Sequence, residues 1–175
     1  RGELSRATYL DYLRGLQTIY AALESALARH ADDPRIGPFF RPELVREPAI
    51  TRDLAHLAAA DLPPPAPAHA YARHIQAVAE HAPLLLIAHV YTRYLGDLSG
   101  GQLLRRGAAR ILGLTPPTAG LEYYDFPAIP DLDRYKGELR ATLDGLPLRP
   151  DQVDAIVAEA RRAFADSAAL FAALT

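Results

Sequence analysis

Residues Ala88-His89-Val90-Tyr91-Thr92-Arg93-Tyr94-Leu95-Gly96-Asp97-Leu98-Ser99-Gly100-Gly101-Gln102 decide how this chain is read. The stretch begins as an amphipathic helix, then places three glycines within six residues with no proline to end it. Leu103 and Leu104 resume the apolar pattern, and helical character runs on to Leu112 and Gly113. The spacing predicts one long helix from about Pro83 to Leu112 with glycine in its middle. Each interior glycine costs about 1 kcal/mol relative to alanine, so three cost roughly 3 kcal/mol that something else must offset.

Successive helical residues turn by about 100°. Tyr91, Tyr94, Leu95 and Leu98 then continue an apolar stripe from Leu84 and Ile87, while Arg93, Gly96, Asp97, Gly100 and Leu104 share the opposite side. Gly96 and Gly100 are four apart and stack on one face, so bare backbone is presented there. Two uses fit that pattern. A flat or bulky ligand can approach closely, or a second helix can pack there or the helix can kink. Asp97 on the same face weighs toward a ligand, because a carboxylate is costly to bury unless it is paired or hydrated.

Working outward toward the N-terminus, Leu4 to Ala31 reads as a helix with Ser5 as N-cap and Thr8 three residues on. Leu10, Leu13, Leu16, Tyr20, Leu23 and Leu27 recur at helical steps, and Asp32-Asp33-Pro34 ends the run. Phe39 and Phe40 are expected to plug the core, and Pro42 to Glu47 to form a helical turn or two. Pro48 suits the first turn of a helix to about Ala60. Leu62-Pro63-Pro64-Pro65-Ala66-Pro67 is a semi-rigid connector, and His69 to His81 is another helix with Tyr71, Ile75 and Val78 inward.

Toward the C-terminus, Thr115 to Thr118 is a loop and Leu121 to Phe126 is extended or irregular, with no partner run that would make a sheet. Pro130 to Leu143 is a helix with Leu132, Tyr135, Leu139 and Leu143 inward and Lys136 and Arg140 on one face. Leu148 to Leu174 is the last helix, its buried stripe running through Val153, Ile156, Val157, Ala160, Phe164, Ala168 and Phe171. The fold class is therefore all-α, a multi-helix bundle around a glycine-kinked central helix.

Composition bounds the function. The 175 residues suffice for one domain with a sizeable core. No apolar run reaches the length of a membrane span. A net charge of −2 argues against a general nucleic-acid binder. Cysteine is absent, which excludes disulfides and thiolate ligands, and a reducing cytoplasm is the default compartment. Methionine is absent even at position 1, so residues preceding Arg1 are expected. No nucleotide loop, Ser/His/Asp spacing or HExxH run is present, and the six histidines are scattered.

The segment Tyr91 to Gln102, YTRYLGDLSGGQ, resembles the signature of the haem oxygenase family, and the similarity extends over essentially the whole chain. The resemblance implies a single haem oxygenase-like domain over residues 1–175. It also implies that the first, proximal helix with its iron-binding histidine lies before Arg1, so this sequence supplies no metal ligand. It further implies oxidative cleavage of haem to biliverdin, ferrous iron and carbon monoxide, with haem as substrate and cofactor and O2 as co-substrate. Asp97 would hold ordered water that delivers a proton, with Arg93, Tyr20 and Ser167 supporting that network. Gly96, Gly100, Gly101, Ser99, Tyr91, Phe164 and Tyr71 would line the haem, and Lys136 and Arg140 would contact its propionates.

Electrons would come from a separate ferredoxin, flavodoxin or NADPH-dependent reductase, with Arg105, Arg106 and Arg110 as candidate docking residues; a monomer is expected. Read from the residues alone, Tyr20, Tyr71 and Phe164 also suit the core, and Lys136 and Arg140 a solvated edge. Two rivals to the enzyme stand: a haem carrier that does no chemistry, and a helical interaction module that uses Gly96 and Gly100 for packing.

Overall fold

The computed structural model describes residues 5–114 and 119–174. Helix α1 spans Arg6–Arg29. Ser5 starts it as the sequence predicts, its Oγ accepting the Thr8 N–H at 3.1 Å; Leu4 lies outside the described residues. Leu13, Leu16, Ile19, Tyr20, Leu23 and Ala26 are fully buried, so the helical periodicity of α1 becomes the spine of the core. Helix α2 (Glu47–His56) and helix α3 (Ala66–His81) pack on it most heavily.

Glu24 of α1 receives the N-terminus of α2, accepting the Arg46 N–H at 2.6 Å and the Glu47 N–H at 3.3 Å. It thus satisfies two donors that a helix start leaves free. Helix α2 stops four residues before the predicted Ala60, because Ala58 takes the left-handed conformation (φ 48) and Ala59 N–H returns to the Leu54 carbonyl at 3.0 Å. This is a helix-ending motif normally marked by glycine, and no glycine marks it here. Helix α3 begins three residues before the predicted His69, with Pro67 in its first turn, and buries Tyr71, Ile75 and Val78.

The central helical run is present as predicted, but it is not uniform. A 3-10 turn at Pro83–Leu85 leads into α4 (Leu86–Val90), a π-helical turn covers Tyr91–Leu95, and α5 (Gly96–Leu112) follows. The irregularity therefore falls just before the glycines, where the sequence reading places it on them. Tyr94, Leu95 and Leu98 are buried, but Tyr91, the first residue of the π turn, is 42% exposed and leaves the predicted core stripe. Gly113, with φ 65, closes α5.

The predicted loop Thr115 to Thr118 lies outside the described residues. A 3-10 turn at Glu122–Tyr124 then returns the chain to α2. Helix α6 (Leu132–Asp144) starts on Asp131, whose side chain accepts the Arg134 N–H, and helix α7 (Pro150–Ala172) closes the bundle. No strand occurs among the described residues, and none of their helices is long and apolar enough to cross a membrane.

Helix α7 corrects the sequence reading. Its buried residues are Ala163 and Leu170, whereas Val153, Val157, Phe164 and Phe171 of the predicted buried stripe are 45%, 46%, 55% and 45% exposed. The helix approaches α1 through Leu170, whose Cδ1 lies 3.0 Å from where a Cβ on Gly15 would stand. Close contact at Gly15 therefore sets the seam, and the large side chains are left on another face.

Candidate functional site

Asp97, in the first turn of α5, receives a hydrogen bond on each carboxylate oxygen. Tyr123 donates to Oδ1 at 2.6 Å and Tyr20 donates to Oδ2. Tyr20 comes from the buried face of α1 and lies beside Tyr94 and Tyr123, with ring centroids 5.8 and 6.0 Å away. The Arg93 guanidinium sits 5.2 Å from the Tyr20 ring centroid, within cation–π range, and its Nη1 donates to Ser167 Oγ at 3.4 Å. Arg93 is buried, and its Nε makes no hydrogen bond among the described residues. The structure thus brings together all four residues read as catalytic: Asp97, Arg93, Tyr20 and Ser167.

Burial raises the Asp97 pKa against the opposing pull of Arg93 and the two tyrosine hydrogen bonds. Burial, with the neighbouring Asp97 charge, holds the Tyr20 and Tyr123 hydroxyls protonated far above their ordinary range. They are therefore fixed as donors. A carboxylate held in one orientation by two such donors keeps further lone pairs for water.

Tyr123 is the residue the sequence reading passes over. It is placed by two buried charges on the α2 side. Asp53, fully buried, accepts the backbone N–H groups of Glu122 and Tyr123, each at 2.8 Å. The buried Arg46 donates to the Asp125 carbonyl at 2.5 Å and to the Tyr123 carbonyl at 3.4 Å, and stacks 4.0 Å over the Phe126 ring. The available sequence signal was a tyrosine pair, Tyr123-Tyr124, in a segment otherwise read as irregular.

Gly96 and Gly100 keep their face open: a Cβ on either would meet nothing within 4 Å among the described residues. Exposed Leu104, 49% accessible, shares the side of the helix on which the sequence places them. Gly101 differs, being buried with Tyr124 Cδ1 3.8 Å from where its Cβ would stand, while Ser99 is exposed. A flat apolar group suits this surface, because bare backbone there leaves room for close approach.

The remaining predicted residues are spread more widely. Tyr91 is beside Leu95, Leu139 and Leu143 around a small apolar cleft, which sets α6 against the Asp97 run. On α6, half-buried Lys136 pairs with Asp133 at 2.7 Å and Arg140 is exposed. Phe164 is exposed. Tyr71 is fully buried, and its hydroxyl lies 3.1 Å from His89 Nδ1. His89, the histidine of the central run, is itself fully buried and faces Glu159 with its other nitrogen at 3.1 Å. Arg105 is bonded to Asp125 at 3.2 Å, whereas Arg106 and Arg110 are exposed.

Comparison with known proteins gives a uniform answer. Residues 1–173 match the family model Heme oxygenase. A Heme oxygenase of Porphyra purpurea is 35% identical over 167 residues, covering 93% of this chain and 70% of that protein. The structure of heme oxygenase from Leptospira interrogans superposes with a TM-score of 0.90 at 34% identity, covering 96% of this chain and 83% of that one. The crystal structure of heme oxygenase-1 from the cyanobacterium Synechocystis in complex with heme superposes with a TM-score of 0.92 at 33% identity, covering 98% of this chain and 79% of that one.

Proposed function

This chain belongs to the haem oxygenase family, and we propose that its Asp97 cluster is the proton-delivering part of that family's reaction, the oxidative cleavage of haem to biliverdin, ferrous iron and carbon monoxide. Haem is substrate and cofactor together, and when bound it supplies the oxygen-activating chemistry. The observation that carries the proposal is the pair of tyrosine hydroxyls on the two oxygens of Asp97, one residue from the open Gly96.

Each residue then has a task. Gly96 and Gly100 admit the flat macrocycle close to the backbone. Tyr20 and Tyr123 orient the Asp97 carboxylate, so that its free lone pairs hold a water at the mouth of the site and pass a proton through it. Arg93 balances the buried negative charge, and Ser167 anchors Arg93. Lys136 and Arg140 are proposed to meet the haem carboxylates from α6, which already packs beside Tyr91 and Leu95. Tyr91 and Phe164, both exposed, offer apolar contact, and Ser99 and Gly101 flank the backbone face, whereas fully buried Tyr71 takes no part in this contact. As membership of the family implies, the iron-binding histidine is proposed to precede Arg1; His89 keeps its Nδ1 on the Tyr71 hydroxyl at 3.1 Å. Exposed Arg106 and Arg110 are the proposed contact for a separate ferredoxin, flavodoxin or NADPH-dependent reductase.

The test is a hemin titration followed by reductant in air, on the full-length protein. Asp97→Ala should keep the Soret band and its affinity while biliverdin formation falls about 100-fold. Tyr123→Phe should lose roughly tenfold, in line with one hydrogen bond to a charged group. Undiminished biliverdin formation by Asp97→Ala would remove the proton-delivery role. A stable Soret band without product in the unaltered protein would make it a haem carrier, and no band at all would leave an interaction module.

A further inference from the structure

A second polar cluster lies on the other side of the π turn, and the Asp97 chemistry does not use it. It joins three helices: His74 of α3, His89 of α4 and Glu159 of α7. Their donor atoms all lie within 4.8 Å of one another. His74 Nε2 is 2.5 Å from Glu159 Oε1, and His89 Nε2 is 3.1 Å from the same oxygen. The two imidazole rings meet edge to face with centroids 5.9 Å apart.

A plain hydrogen-bond network does not account for all of this. His74 donates to Glu159 in good geometry. His89 Nε2 does not: although 3.1 Å from the carboxylate it makes no aligned hydrogen bond among the described residues, and its side chain is fully buried. A buried imidazole nitrogen facing a carboxylate without an aligned hydrogen bond is costly. A neutral imidazole presents a lone pair to a cation. The opposite nitrogen, Nδ1, is 3.1 Å from the Tyr71 hydroxyl, the outer hydrogen bond that commonly fixes the tautomer and ring angle of a metal-bound histidine.

We propose that His74 Nε2, His89 Nε2 and Glu159 Oε1 form a binding site for one Zn2+-class divalent cation, which fastens α3, α4 and α7 together. Two imidazoles and one carboxylate are a donor set that zinc takes readily, with a fourth position left for water. Ligands about 2.1 Å from a tetrahedral ion stand roughly 3.4 Å from each other. The His89–Glu159 separation is already near this value; the 2.5 Å His74–Glu159 contact must open toward it and the widest separation, within 4.8 Å, must close toward it, a rearrangement for which the His74 side chain, 17% exposed, has room. That exposure also gives the ion and its water a way in. Zinc would replace the one hydrogen bond of His74 and satisfy the stranded nitrogen of His89.

The experiment uses tag-free, chelator-treated, haem-free protein near neutral pH, titrated with Zn2+ by calorimetry and with Co2+ by visible absorption. The expected result is one saturable Zn2+ per chain, a tetrahedral Co2+ spectrum and a higher Tm with Zn2+. His74→Gln and Glu159→Gln should each weaken Zn2+ binding by at least about tenfold and abolish the Tm rise. Tyr71→Phe should weaken it by about tenfold through the outer hydrogen bond alone. His74→Gln is the decisive variant, because its partly exposed side chain can be replaced without opening the core; its metal-free Tm should match that of the unaltered protein. Absence of saturable binding, or equal Zn2+ affinity in the unaltered protein and in both ligand variants, would overturn the proposal.

Discussion

Gly15 on α1 and Gly100 on α5 are both interior helical glycines. A Cβ at Gly15 would meet Leu170 Cδ1 at 3.0 Å and Ala68 Cβ at 3.3 Å, whereas a Cβ at Gly100 would meet nothing within 4 Å. In the first region the missing side chain is a condition of packing, since three helices close on the space it leaves. In the second it is a condition of access, since nothing in the described protein occupies that space. The helix-propensity penalty is the same in both, about 1 kcal/mol, so what distinguishes them is the neighbour.

The comparison is broken most forcefully at Gly15. Gly15→Val should overpack the α1–α3–α7 seam and cost about 1–3 kcal/mol, read as a Tm lower by roughly 3–10 °C. An unchanged Tm would mean that the seam is loose. At Gly100 the sign reverses. Gly100→Ala should raise stability by about 0.5–1 kcal/mol, because it gains helix propensity without a clash, and should at the same time weaken hemin binding. A stability loss there would show that the open face is covered in solution.

The smallest effect extends the contrast from space to charge. Glu24 in the packed region, like Asp97 beside the open face, is a carboxyl raised by burial, and its pKa reaches about 7 despite the Arg46 and Glu47 N–H groups it accepts. The folded protein then holds a proton that the unfolded chain has released, so stability falls as pH rises from about 4.5 to about 7. Tm measured across that window should decline, and Glu24→Gln should flatten the decline. A slope unaffected by the substitution would assign it to other groups.

Much of this was legible in the sequence, for reasons that differ by residue. The α1 stripe, the Ser5 cap and the helical run from Pro83 to Leu112 follow from local periodicity and capping. Tyr20, Arg93, Asp97 and Ser167, named together from the resemblance, lie in contact with one another. Tyr123 was not legible, because its place depends on Asp53 and Arg46, which are distant in sequence and buried only once the chain has folded. Phe164 shows another limit. An apolar stripe reveals that a helix has an oily face, but what covers that face is a matter of the rest of the fold. Ala58 ended α2 by adopting a conformation its residue type rarely takes.

The π turn at Tyr91–Leu95 has a consequence for how the central helix can change. One additional residue in a turn advances the angular phase of everything that follows by about 100°. His89 lies upstream of that shift and Asp97 downstream, so the two are indexed separately along one rod. Deleting a single residue within the turn would leave His89 facing Tyr71 but rotate Asp97 away from Tyr20 and Tyr123. The Asp97 cluster is thus set by one residue's worth of slack, and an insertion or deletion there would turn α5 relative to α4.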